Sequence, residues 1–355
     1  EALAKATPAL GQETPANPAA NSSSLLATEE KSLRDKLARE PDNFEVNRQL
    51  GTLLASGRNP SEALPYLQRA SHLNPENADI HRVLGDIAER LNHPLEAVRQ
   101  YQRAAELDAS EQNLFDWGAE LLTHRAFEPA TDVFTKGSRL FPKSGRMLVA
   151  LGVAWYARGS YDKAAQSLIR ASDLDPADAT PYLFLGKMQN AEITPLAGAV
   201  EQFARFVQLQ PDNALANYYY AVSLRKESPG ATEPAVSTQI EALLLKALRL
   251  NPSLGDAHLE LGILYSQRGD ITRSISEYRE AVAAGSNSDD TLAEAHYRLG
   301  QAYVRAGEKD KARAEFELHH QLATKIQEDS ARERKDIQQF VISLRGDSGD
   351  SSAKH

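Results

Sequence analysis

Residues able to do chemistry are the first test of this sequence, and histidine is the most versatile of them. His258 and His296 occupy equivalent places in two segments of like pattern. An imidazole there could bind a metal or move a proton near neutral pH. Neither has a second ligand at chelating spacing, so both are predicted to serve packing between repeated segments. His319 and His320 are neighbours, and adjacent residues on a helix project in different directions, which makes them a poor chelate. Tyr218, Tyr219 and Tyr220 follow one another and should divide between a core and an exposed face. The chain has no cysteine, which excludes disulfides, thiolate nucleophiles, zinc-thiolate sites and covalent haem attachment. It has no Gly-rich phosphate loop, no HExxH and no GxSxG, the spacings by which phosphate, zinc and acyl chemistry are usually recognised. Its 49 acidic residues are scattered, and no carboxylate pair converges on a pocket. We therefore expect no catalysis, no cofactor and no metal.

Composition narrows the class further. With 41% hydrophobic and 25% charged residues the 355-residue chain is built like a folded protein, and abundant Ala and Leu favour helix. A net charge of −9 without a Lys/Arg block argues against nucleic acid as a partner. No run of about 18 apolar residues is available to span a bilayer. Residues 1–24 are rich in Ala, Pro and Ser, which is expected of the start of a mature exported chain, in the periplasm, at the cell surface or outside the cell.

The elements that must position these residues are set by a repeat. Gly51, Gly85, Gly118, Gly152, Gly186, Gly262 and Gly300 recur in one pattern, with Ala221 holding the sixth place; the first four intervals are 34, 33, 34 and 34 residues, and the later ones 35, 41 and 38. Glycine inside a helix is unfavourable by about 0.8 to 1 kcal/mol relative to Ala. Its recurrence at one helical position implies that a second helix packs closely there. Small residues on the second helix, Ala63, Ala97, Ala130, Ala164, Ala199, Ser274 and Ala312, thin the same contact. Large residues such as Leu67, Tyr101, Phe134, Leu168, Phe203, Leu244, Tyr278 and Phe316 should wedge into the rest of it. Pro75, Pro142, Pro176, Pro211 and Pro252 close successive copies because proline cannot continue a helix. Pro65, inside the first copy's second helix, is expected to kink or delay it.

Segments such as LGVAWYARGSYDKAAQSLIRASDLDP and LGQAYVRAGEKDKARAEF carry the signature of the tetratricopeptide repeat (TPR) family, which the chain resembles over about residues 44–318. The resemblance implies an all-α fold, a right-handed α-solenoid superhelix of about eight TPR helix-turn-helix repeats. They fall at 44–77, 78–110, 111–144, 145–178, 179–213, 214–254, 255–292 and 293–322. Copy six departs from the pattern with KESPGATEPAVSTQ between its helices, seven residues over the norm, and copy seven ends in AGSNSDD without its proline. Around the repeats we expect an N-terminal arm (1–24), a capping helix (25–43) with Leu25, Leu26, Leu33 and Leu37, a C-terminal extension helix (323–345) and a polar tail (346–355).

By the same resemblance, first helices line a concave groove. Mapped onto this chain, the groove would present Phe115, Leu122, Val149, Val153, Tyr156, Leu183, Tyr218, Val222, Leu259, Ile263 and Tyr297, with Arg48, Thr52, Arg82 and Asp86 at a polar entrance. A second apolar stripe on a helix that already buries one needs a cover, and a helix or extended peptide of another protein is the natural one. Arg48, Thr52 and Val83 stand where the family's chaperone-tail receptors carry their carboxylate clamp, so that ligand is not expected. Ile337, Phe340, Val341 and Leu344 recur at helical spacing beyond the last copy. They form a candidate assembly end, at which a second copy could add head to tail and build a homo-oligomeric filament. The expected function is thus a non-catalytic protein-protein interaction scaffold, exported and self-assembling, or else a monomeric adaptor that holds a peptide in the groove.

Overall fold

A computed structural model describes residues 18–57, 60–191, 194–228, 234–285 and 289–350; the side chains of 18–25, Ala191 and 330–350 lie outside the described residues. All secondary structure among the described residues is helical. The chain divides into two compact units, Glu1–Ala109 and Ser110–His355.

The first unit holds α1 (Pro18–Arg39), α2 (Phe44–Ser56), α3 (Pro60–Leu73), α4 (Ala78–Arg90) and α5 (Pro94–Leu107). Helices α2 with α3 and α4 with α5 form the antiparallel pairs of copies one and two. Helix α1 begins at Pro18, inside the segment expected to be an arm. Of its leucines, Leu33 is buried against Val46 and Leu50 and Leu37 is half-buried, whereas Leu26 is exposed. Arg34 fastens the helix by donating to Tyr66 Oη (2.9 Å) and Glu62 Oε1 (2.6 Å). Helix α3 starts at Pro60 without delay and runs on through Pro65, which is exposed.

The second unit holds α6 (Glu111–Thr123), α7 (Phe127–Leu140), α8 (Gly145–Ala157), α9 (Tyr161–Leu174), α10 (Thr180–Ala191), α11 (Ala199–Leu209), α12 (Ala214–Glu227), α13 (Pro234–Leu250), α14 (Gly255–Gln267), α15 (Ile271–Ala284), α16 (Asp289–Arg305) and α17 (Lys309–Asp350). They continue the same alternation of first and second helices. Much of the long insertion in copy six is helix, since α13 starts at Pro234 and Arg268, directly after α14, grips its first turns through Ser237 Oγ (2.7 Å) and Glu241 Oε2 (2.5 Å). The second helix of copy eight and the expected extension are one helix, α17, which reaches Asp350, inside the segment expected to be a polar tail; residues 351–355 lie outside the described residues. Leu322 and Ile326 are half-buried and Leu318 is exposed.

The repeating glycines do what their spacing implies, with one exception. A Cβ at Gly85 would stand 2.7 Å from the Tyr101 ring, at Gly118 2.6 Å from Phe134, at Gly152 2.7 Å from Leu168, and at Gly300 2.7 Å from Phe316, each time the wedge of the paired helix. Gly186 instead faces Tyr219, on the first helix of the next copy. Copy five pairs its helices differently because α11 starts only at Ala199, after a connection led in by Gly198 in the left-handed region (φ 77°). Phe203 then meets the same Tyr219, ring centroids 5.6 Å apart. Between first and second helices the chain turns through positive φ at Asn92, Arg125, Gly159, Gly269 and Gly307. An N–H further along returns to the helix, as Ala126 does to Leu121 (2.8 Å) and Ser160 to Trp155 (2.9 Å). Such bonds satisfy carbonyls that the helix end would otherwise leave open.

These contacts give a test. Tyr101 cannot yield easily, because its hydroxyl is held by Asp86 (2.8 Å) and Glu89 (3.1 Å). Overpacking by a methyl should outweigh the better helix propensity of alanine, so Gly85→Ala is expected to destabilise the protein by about 1–2 kcal/mol. Gly145→Ala, where a Cβ meets nothing within 4 Å, should instead stabilise it by about 0.5 kcal/mol. Urea unfolding followed by circular dichroism measures both; loss of stability from both variants would refute the close-approach account.

Candidate functional site

First helices are set in place by polar residues at fixed distances from the repeating small residue. Asn43, Asn77, Ser110, Ser144 and Asn213 cap α2, α4, α6, α8 and α12, each accepting the N–H three residues on. Such caps contribute about 1 kcal/mol apiece. Four residues before the repeating position, a second polar group reaches back in five first helices to the carbonyl of a proline six residues earlier. Asn47 donates to Pro41 O (2.9 Å) and Asn217 to Pro211 O (3.0 Å); Tyr182 Oη lies 3.4 Å from Pro176 O, and His81 and His258 place Nε2 3.1 and 3.2 Å from Pro75 O and Pro252 O. Five proline carbonyls thus face a polar group of the first helix that follows them, which ties those turns to those helices.

His258 belongs to this set, and His296 holds the equivalent place in copy eight, where no proline stands six residues before it. Their Nδ1 atoms sit 2.7 Å from Glu277 and Glu315 on the second helices of their own copies. His319 Nδ1 lies 3.0 Å from Ala293 O, with its ring against Tyr297, while His320 is exposed. No cluster of three or more metal-ligating side chains occurs among the described residues. No helix among them is long and apolar enough to cross a membrane.

The first helices of the second unit adjoin one another, α6 with α8, α8 with α10, α10 with α12. Contacts on one side record this. Arg146 of α8 lies over the Phe115 ring of α6 (4.3 Å) and bonds Gln112, and Asn190 of α10 donates to Tyr218 of α12 (2.8 Å). Arg225 of α12 holds Glu260 of α14 through two bonds, one of 2.9 Å, with both side chains largely buried. On this side Phe115, Leu122, Val149, Val153, Tyr156 and Leu183 are half-buried. Tyr218, Val222, Leu259 and Ile263, predicted to line the same groove, are buried at 3%, 1%, 6% and 8% exposure. Tyr218 and Val222 join the core of copies four to seven, and Leu259 and Ile263 that of copies seven and eight. The shifted packing of copy five draws Tyr218 and Tyr219 inward. Burial and the nearby carboxylates of Glu260 and Asp256 push the Tyr218 phenol well above its ordinary range, and burial lifts Tyr219 to about 12. Tyr297 is exposed at 38% and packs on Phe316. In the first unit Arg48 and Arg82 are tied to Glu45 (2.6 Å) and Asp86 (3.3 Å) on their own helices. Ile337, Phe340, Val341 and Leu344 fall on α17, and their side chains lie outside the described residues.

What the residue pattern did not reveal is the polar register: the caps, the proline-carbonyl clamps, and the Arg225–Glu260 pair. A signal was available in Asn47, His81, Asn217, His258 and His296, all four residues before the repeating position and mostly six after a proline. The ion pair has no such signature, since its partners are 35 residues apart and meet only when α12 and α14 adjoin.

Fold and face together define a tandem array of helix pairs whose first helices share a surface. Models of the tetratricopeptide repeat match residues 48–113, 116–179 and 241–289, which together make up just over half of the chain, and a second such model matches 293–318. The chain belongs to the tetratricopeptide repeat family. The unmatched stretch, 180–240, contains the displaced α11 and the insertion of copy six. Similar solved structures include MamA from Desulfovibrio magneticus RS-1, at 21% identity over 47% of this chain and 95% of that one (TM-score 0.42). YrrB, described as a TPR protein with an unusual peptide-binding site, is 22% identical over 54% of this chain and 95% of its own (TM-score 0.43). Yeast Tom70 is 17% identical over 85% of this chain and 62% of its own (TM-score 0.44). A comparison with curated proteins gave no match.

The histidine clamp generates a pH prediction. Burial is the largest influence on His258 and pulls its pKa down, but the bonds to Glu277 and to Pro252 O, with the charges of Glu277 and Glu280, together carry it above the ordinary imidazole value. A value raised in the folded state contributes stability that is complete below the unfolded pKa, about 6.5, and is lost as pH rises through the folded one. Asn47 and Asn217 make the same carbonyl bond without titrating. His258→Asn should therefore lie about 1 kcal/mol or more below wild type at mildly acidic pH, with the gap closing as pH rises. Melting temperatures of both proteins across that range check it, and a gap that widens with pH would contradict the assignment.

Proposed function

We propose that this chain is a non-catalytic scaffold that holds a segment of another polypeptide against the first-helix face of copies three to five. One observation carries the reading. Phe115, Leu122, Val149, Val153, Tyr156 and Leu183 stay half-exposed on adjoining helices, while the equivalent Tyr218, Val222, Leu259 and Ile263 are buried. Apolar side chains left on a face bounded by polar ones are characteristic of interaction surfaces. A bound segment would remove them from water, at about 25 cal/mol per Å2 of apolar area covered.

Head-to-tail self-association is the second reading. It is supported by exposed Tyr297 and Val304 on the last first helix and Leu318 on α17, at 38%, 55% and 42% exposure. A stack of repeats must cover its end, and a second copy could do so. An exported location for such a scaffold is part of the proposal and rests on the Ala/Pro/Ser-rich composition of residues 1–24. Placing a photoreactive benzophenone side chain at Val153, at Val304 and, as control, at exposed Asp132 tests both readings in the native host. The first expects a discrete adduct with another polypeptide from Val153 alone, abolished by Leu183→Glu; the second expects an adduct with a second copy from Val304. Equal adducts from Val153 and Asp132 would dismiss the docking face.

A further inference from the structure

The first and last repeats end differently. At the head, α1 lies on α2: Leu33 is buried and Leu37 half-buried against Val46 and Leu50, and Arg34 ties the helix to Tyr66 and Glu62. Of the described leucines of α1 only Leu26 stays exposed. At the tail, Tyr297 and Val304 of α16 and Leu318 of α17 are all exposed. Tyr297 holds the place that Leu259 holds in copy seven, and Leu259 is buried in a core to which α16 contributes Ala295, Leu299 and Ala302. The face around Tyr297 is therefore one that a following helix covers elsewhere in the array.

Helix α17 extends far beyond this face. Lys325 reaches Asp289, the first residue of α16 (2.7 Å), so past that level the partner helix has ended, yet α17 runs on to Asp350. The continuation is roughly 36 Å long at about 1.5 Å per residue. Helices in proteins owe most of their stability to packing of an apolar face, and Gly346 and Gly349 weaken this stretch further. Within it Ile337, Phe340, Val341 and Leu344, spaced i, i+3, i+4 and i+7, share one face of the helix. Phe340 lies about 33 Å along the rod from Leu318, so a continuous helix cannot bring this stripe back onto the end face of its own chain.

Resting on the self-association reading above for the end face, and departing from it in the surface that meets that face, we infer that two copies pair tail to tail about a two-fold axis. The α17 helices run antiparallel, and the stripe at 337–344 of each copy lies on Tyr297, Val304 and Leu318 of the other. Each copy then supplies the helix that the other's last repeat lacks, and one arrangement occupies both apolar features of both chains. An isologous pair of this kind closes on itself, with each contact made twice. Because α1 already covers the head, the pair has no open repeat end at which a third copy adds in the same way.

Light scattering of the whole chain over a range of concentrations tests this. The expected mass rises to two chains and no further. Leu318→Glu and Phe340→Glu should each weaken pairing about tenfold or more, by placing a charge in an apolar contact. Mixing the two variants should recover part of the pairing, because the intact stripe of one then meets the intact end face of the other. That recovery does not require the α17 extension of the Phe340→Glu variant to stay helical, and Leu318 is exposed, so its variant keeps the fold, as circular dichroism verifies. Mass growing beyond two chains would overturn the closed pair and leave head-to-tail addition standing. A pair indifferent to Leu318→Glu, or one that mixing does not recover, would overturn the exchange of contacts. A single chain at every concentration would overturn this inference and self-association together, without touching the docking face of copies three to five.

Discussion

Every copy depends on a small residue of one helix receiving a large side chain from another. At Gly51, Gly85, Gly118, Gly152, Gly262 and Gly300 the receiving position lacks a Cβ, and the incoming Leu67, Tyr101, Phe134, Leu168, Tyr278 or Phe316 occupies the space. Glycine weakens each helix slightly. Dispersion contacts of a buried ring or isobutyl group, tens of atom pairs at about 0.1–0.2 kcal/mol, more than offset that. Because the contact sits mid-helix, it sets how closely the pair packs, and thereby where the remaining sides of the first helix face.

Polar groups then connect one copy to the next. Closing prolines end the second helices and leave carbonyls turned away from any helix of their own, and Asn47, His81, Tyr182, Asn217 and His258 approach those carbonyls from the following first helix. The same role is filled by an amide, an imidazole or a phenol, which share an N–H or O–H at suitable reach. Interchangeable chemistry of this kind is a mark of structure and not of a reaction, and it accounts for His81 and His258, while His296 keeps the contact to the carboxylate of the paired helix that His258 also makes.

Function follows from what these contacts leave uncovered. In copies six and seven the analogous face is consumed by the fold, with Tyr218, Val222, Leu259 and Ile263 packed inward and Arg225 joined to Glu260. In copies three to five it is not. The division falls at copy five, where α11 starts late and Gly186 takes its partner from α12. A local irregularity in one helix connection thus decides how far an interaction surface extends.

The sequence alone determined the helix pairs, their number, and the identity of most core wedges, because helix packing is local: a glycine, its alanine partner and its wedge lie within one 34-residue period. Absence of cysteine and of phosphate, zinc and acyl motifs was equally legible. Only the tertiary structure decided which members of the apolar stripe stay half-exposed, since Val153 and Ile263 hold the same place in their copies and differ in burial through neighbours tens of residues away. The Gly186–Tyr219 contact, the Arg225–Glu260 pair and the proline clamps were hidden for the same reason. Period reports what a residue does inside its own repeat, whereas exposure and charge pairing depend on how one repeat is set against the next.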